Sequence, residues 1–157
     1  MTDVFDPATR SRVMAAIRRR DTGPELRLRR ALHAMGLRYR LDVAALPGRP
    51  DLVFPRFRAA VFVHGCFWHR HPGCPKATTP AANLGFWTAK FARNTARDAA
   101  AQAALAALGW RIAVVWTCTL GPRQAPETAA ETARWLQGAA ARLELPPPAP
   151  QAPDPGA

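Results

Sequence analysis

Asp51-Leu52-Val53-Phe54-Pro55-Arg56-Phe57-Arg58-Ala59-Ala60-Val61-Phe62-Val63 reads as two strands joined by a turn. Asp51–Phe54 is short and apolar. Pro55–Arg58 cannot extend it and turns the chain. Ala59–Val63 is apolar on both alternate sets of positions, which predicts a central strand covered on both faces. Arg111–Trp116 has the same character and predicts a second buried strand, and Arg38–Leu41 is a weaker strand candidate. Helices are expected around these strands. Asp6-Pro7 starts one that runs through Met14 to about Arg20. Thr22-Gly23-Pro24-Glu25 starts another as a capping box, and Gly36 closes it. Leu84–Leu108 and Pro126–Leu143 are the remaining two. The order α-α-β-β-β-α-β-α predicts a mixed sheet flanked by helices.

The chain has 157 residues, enough for one domain. Residues 1–145 are expected to form it, with 1–20 as a basic, DNA-contacting N-terminal helix. The proline-rich stretch 146–157 is expected to be a disordered tail. No apolar run approaches a membrane span, and the N-terminus lacks the pattern of a secretory signal. Three cysteines argue against a disulfide framework, so a reducing cytosol is the expected compartment. The net charge is +11, and all but Lys76 and Lys90 of the 22 basic residues are arginine. A GC-rich genome accounts for part of that bias, but not for the absence of any acid between Asp51 and Asp98. Arg forks match phosphate, so the partner expected is a nucleic acid.

The residues with the most chemistry lie in His64-Gly65-Cys66-Phe67-Trp68-His69-Arg70-His71-Pro72-Gly73-Cys74. Cys66, His71 and Cys74 form a ligand set suited to zinc, and Cys118 is the cysteine left to complete it. A closed Cys3His site is structural because it leaves no position for water. His69 is the alternative ligand to His71. His64 and His69 are otherwise candidates for acid or base work, or His64 is a strand-end core residue. Asp51, at the start of a hairpin, suits Mg2+ beside a scissile phosphate, or is a turn aspartate after proline. Glu25 is either the capping-box acid or a second site carboxylate. Phe67, Trp68 and Met14 are candidates to wedge between base steps, or pack internally. Trp87, Lys90, Asn94 and Arg97 share one helix face, with donors for phosphate or base edges.

Thr9–Met14, Arg20-Asp21-Thr22, Leu46–Asp51, His64–His69, Phe86-Trp87 with Lys90 and Asn94, and Val115–Cys118 follow one another in order. Together they resemble the very-short-patch-repair mismatch endonuclease family over about residues 5 to 140. The resemblance implies a restriction-endonuclease-like three-layer α/β/α core around a mixed sheet, with a structural zinc site. By position, Asp51 resembles the catalytic Mg2+ aspartate and His69 the histidine that activates water. His64 resembles a second active-site histidine and Glu25 a glutamate supporting water and His69. Cys66, His71, Cys74 and Cys118 resemble the Zn2+ ligands. Met14, Phe67 and Trp68 resemble the intercalating side chains, while Lys90 and Asn94 resemble residues near the mismatched pair. Val63 stands where some members have Thr, but the family's contribution to Mg2+ there is a backbone carbonyl. The acidic motif that follows the aspartate in related nucleases is absent, and histidines occupy its place, as in the family.

The function implied is an Mg-dependent DNA endonuclease. It would nick the T-containing strand at T:G mismatches left by deamination of 5-methylcytosine, initiating very short patch repair. A cytosine-5 methyltransferase is then the functional companion, a mismatch-repair matchmaker protein a further partner, and a monomer suffices for one nick. The alternatives are a restriction-type endonuclease on undamaged duplex and a non-catalytic, zinc-stabilised mismatch-binding module. An RNA-binding protein ranks behind both.

Overall fold

A computed structural model describes residues 22–148. The basic helix expected over Asp6–Arg20, with Met14, and the tail beyond residue 148 lie outside the described residues. In chain order the elements are α1 (Gly23–Ala34), β1 (Leu52–Phe54), β2 (Ala59–His64), α2 (Leu84–Ala107), β3 (Arg111–Trp116), α3 (Ala125–Gln137) and β4 (Arg142–Leu145). Short 3-10 turns follow β1 at Pro55–Phe57 and β3 at Thr117–Thr119. The chain is a mixed α/β fold.

The sheet order is β1-β2-β3-β4. β1 is antiparallel to β2, pairing Leu52 with Val61. β2 and β3 are parallel, from Ala59 opposite Arg111 to His64 opposite Trp116. β4 is parallel to β3. Side chains alternate across the sheet as a period of two requires. Val61, Ala113 and Val115 face Leu28 and Leu32 of α1 and Ala129 and Leu136 of α3. Ala60, Phe62 and Ile112 point the other way and pack on Leu105 of α2. Both faces of β2 and β3 are therefore covered, which is why these strands are apolar throughout.

The structure corrects three sequence expectations. Arg38–Leu41 forms only one bridge, Arg40 to Val53, because Asp42 takes φ +52 and turns the chain away. The last helix stops at Gln137, not Leu143. Gly138 follows it, and Arg111 donates hydrogen bonds to the carbonyls of Trp135, Leu136 and Ala140, sealing the helix end. That frees Arg142–Leu145 to pair as a strand, with Leu143 and Leu145 opposite Ala113 and Val115 on the apolar face. Finally, Thr22 takes an extended N-cap conformation but makes no side-chain cap bond, so the capping box does not form and Glu25 is buried instead.

Leu32 is fully buried between α1, α3 and the sheet. Leu32→Ala is expected to lower unfolding stability by roughly 2–5 kcal/mol in a urea titration. Leu108→Ala, at a site 54% exposed, should shift it by no more than about 0.5 kcal/mol.

Candidate active site

Asp51 sits immediately before β1, and its partner is set by the hairpin. The Val63 backbone N–H donates to Asp51 Oδ2 at 2.7 Å, so the carboxylate is held against the end of β2. It opens into a cavity of about 860 Å3 lined by Glu25, Arg49, His64, His69, Arg97 and Asp98, among others. Burial pushes the Asp51 carboxyl up to about 7, and nearby Glu25 adds to this. The Val63 bond, His69 and Arg29 oppose it. A buried carboxylate that resists ionising lacks a positive neighbour strong enough to compensate, which suits a divalent cation.

His64 ends β2, and His69 lies on the turn after it. Their rings stack 3.9 Å apart with an interplanar angle of 3°. His69 Nδ1 lies 2.6 Å from Asp98 Oδ2 on α2. With Nδ1–H donated to Asp98, Nε2 carries the lone pair and can accept a proton. His64 is pushed down to about 3, chiefly by burial and then by repulsion from His69. It therefore stays neutral beside a partner that gains charge. Trp116 meets its edge at 5.3 Å and helps hold the ring.

The carboxylate bonded to His69 is thus Asp98, whereas the sequence reading gave the supporting role to Glu25. Glu25 lines the same cavity but accepts from Arg29 at 3.0 Å, one helical turn along α1. Asp98 had entered the sequence reading only as the end of an acid-free stretch. Its signal was present: it lies four residues after Asn94, on the same helix face.

The candidate metal centre is built by strand register. Because His64 pairs with Trp116 in parallel strands, the residues two beyond each, Cys66 and Cys118, emerge side by side. His71 and Cys74 join them from the following turns, where His71 N–H donates to Cys66 O at 3.0 Å. The four ligand atoms lie within 4.8 Å of one another, and Cys118 Sγ is 3.6 Å from His71 Nδ1. A tetrahedron with 2.3 Å sulfur bonds has edges of about 3.8 Å, so the set fits zinc. Burial and the neighbouring sulfurs push the Cys118 thiol up to about 12. His71, stacked 4.4 Å over Trp116, and not His69, is the imidazole among the cysteines.

Phe67 and Trp68 stand edge-to-face at 4.9 Å on the rim of this loop. Trp87 and Phe91 of α2 lie within 5.7 Å of Phe67. Lys90 Nζ is 6.0 Å from the Trp68 ring, and Asn94 Nδ2 donates to Trp68 O at 3.2 Å. Lys90 and Asn94 therefore both lie beside Trp68. Arg97 lines the cavity that holds Asp51.

A buried carboxylate beside a histidine–carboxylate pair, in a cavity with arginines in its lining, is the equipment of a hydrolase acting on phosphate esters. The sequence model of the family "DNA mismatch endonuclease Vsr" matches residues 2–75. The DNA mismatch endonuclease Vsr of Escherichia coli is 43% identical over 148 residues, covering 92% of this chain and 94% of its own. A Type II nicking enzyme, V.XorIIP of Xanthomonas oryzae, is 49% identical over 76% of this chain and 88% of its own. Another, V.NmeAIP of Neisseria meningitidis, is 39% identical over 76% of this chain and 85% of its own. The chain belongs to the Vsr family of DNA mismatch endonucleases. No helix among the described residues is long and apolar enough to cross a membrane.

The raised Asp51 carboxyl has a consequence for stability. Its folded value lies above the unfolded one, so the folded protein binds the extra proton, and stability falls as pH rises from about 4 to about 7. In metal-free protein, Asp51→Asn keeps an acceptor for Val63 without the charge. It is expected to exceed wild type by roughly 2–4 kcal/mol at pH 8, and to equal it below about pH 4. Thermal melts across that range check this.

Proposed function

We propose that this protein nicks the T-containing strand of DNA at T:G mismatches that arise from 5-methylcytosine deamination, and so begins very short patch repair. The observation that carries this is the meeting of Asp51, His64, His69 and Asp98 in one cavity, in a member of a mismatch endonuclease family. The four-stranded sheet with helices on both faces is read as the core of a restriction-endonuclease-like fold.

The residues divide the work as their environments dictate. His69 accepts a proton from the attacking water through Nε2, and Asp98 holds the ring and balances the imidazolium that results. His64 stays neutral and is free to hydrogen-bond a phosphate oxygen. Asp51 and the Val63 carbonyl would hold Mg2+, which when bound supplies charge to the scissile phosphate. Glu25, buried beside Arg29, adds a second carboxylate to the lining of the same cavity. Cys66, His71, Cys74 and Cys118 would hold Zn2+, fixing the loop that carries His69 and the aromatic rim. Phe67 and Trp68 would enter the duplex, with Lys90 and Asn94 close to the mismatched pair. A T:G wobble deforms more easily than a Watson–Crick pair, so the cost of wedging falls selectively there.

A cytosine-5 methyltransferase that creates the vulnerable base is the functional companion in this scheme. A mismatch-repair matchmaker is a further partner. The enzyme would act as a monomer in the bacterial cytosol.

The test is an end-labelled duplex with one T:G mismatch, incubated with Mg2+ beside a fully paired control. Wild type should nick the mismatched T strand alone. Asp51→Ala should abolish the nick, and Asp98→Asn should slow it by roughly 10²–10⁴-fold. Equal cutting of the paired duplex would instead indicate a restriction-type enzyme. Tight binding with no nick would indicate a binding module. For the metal centre, elemental analysis should find zinc stoichiometric with the chain and absent from Cys118→Ser.

A further inference from the structure

Arg70 lies between the candidate catalytic His69 and the candidate zinc ligand His71, yet faces neither function. Its backbone takes φ +56, a left-handed conformation that a non-glycine residue adopts only when its surroundings hold it there. The side chain explains the hold. Nη1 donates to Phe67 O at 3.2 Å and to Thr78 O at 2.8 Å. Nη2 donates to Ala77 O at 3.1 Å and to Thr79 Oγ1 at 2.8 Å. The guanidinium carbon sits 4.0 Å over the ring of Phe91, which is buried in α2, and 5.9 Å from the Phe67 ring.

All four Nη hydrogens therefore have acceptors inside the protein, and one face of the plane is covered. An arginine that reads phosphate needs that fork free. This fork is spent on tying three things together: the carbonyl of Phe67, the chain at residues 77–79 and helix α2. Asn94 does the same for the next carbonyl, that of Trp68. Both backbone carbonyls beneath the half-buried aromatic pair are thus fastened by side chains.

We propose that Arg70 is a positioning residue for mismatch discrimination: its guanidinium locks the backbone beneath Phe67 and Trp68, so that the two rings meet the duplex as a rigid wedge. The inference rests on the reading of Phe67 and Trp68 as the side chains that enter the duplex. Parting stacked bases is opposed by stacking energy. A yielding loop gives way before the bases do, on paired and mismatched DNA alike. A rigid one concentrates the load on the step and lets the softer T:G step yield first. Lysine cannot replace arginine here, because one ammonium lacks the planar fork that reaches four acceptors at once.

The experiment compares wild type, Arg70→Lys and Thr79→Val. Nicking rates are measured on T:G and fully paired duplexes. Unstacking is followed by fluorescence of 2-aminopurine placed beside the mismatch, with Asp51→Asn as background to prevent cutting. Arg70→Lys keeps the charge, yet should lower the ratio of mismatched to paired nicking roughly tenfold and lose most of the fluorescence rise. Thr79→Val removes one anchor, and should lower the ratio about two- to threefold. Wild-type ratio and fluorescence in Arg70→Lys would overturn the proposal and leave Arg70 as a charge alone. Should Arg70→Lys fail to fold, an unchanged ratio in Thr79→Val would overturn it. If wild type nicks the mismatch with no fluorescence rise, the wedge reading fails and the proposal with it. If wild type does not nick T:G but unstacks it, and Arg70→Lys does not, the positioning role holds and the proposed function fails.

Discussion

The parallel pairing of β2 with β3 is the constraint on which the rest of the site depends. It brings two segments far apart in sequence together at the C-terminal ends of the central strands, in a register that sets His64 opposite Trp116. From there each chain continues two residues to a cysteine. The candidate metal centre is thus a consequence of register: a slip by one residue would separate Cys66 from Cys118 and turn His64 to the opposite face. The same pairing lets Trp116 contact the rings of both His64 and His71, so one side chain braces the catalytic cavity and the cysteine cluster.

The antiparallel hairpin does the complementary work. Its tight turn returns the chain so that Val63 donates to Asp51, which places the carboxylate at the mouth of β2 beside His64. Burial there works against ionisation of Asp51 and against protonation of His64. Desolvation thus moves both groups toward neutrality: a bound cation would restore the charge of Asp51, while His64 stays a neutral hydrogen-bonding group. This is the behaviour of a site tuned for a charged substrate and costly to leave empty.

Helix α2 connects this chemistry to the aromatic rim. Asp98 near its middle orients His69, and Asn94, one turn earlier, fastens Trp68. Phe91 supports Arg70 and Phe67. One helix thus holds both His69 and the backbone beneath the aromatic rim. Of the buried side chains of α2, Leu105 packs on the sheet and Phe91 lies under Arg70 and Phe67.

The amino-acid sequence by itself determined the strands of the core, because Ala59–Val63 and Ile112–Trp116 are apolar throughout, too short for a buried helix and bounded by turn residues. It also marked Asp51, the histidines and the cysteines, since these side chains are chemically rare and lie in short motifs. It did not determine β4, because Ala-rich residues 139–141 suit a helix and only the cap made by Arg111, brought in from β3, ends α3 earlier. Nor did it assign Asp98 to His69 or free Glu25 from its capping role. Each of these depends on which distant segment lies alongside, and sequence spacing carries no information about that. Tertiary structure decided them through sheet register and through the packing of α2 across the end of β2.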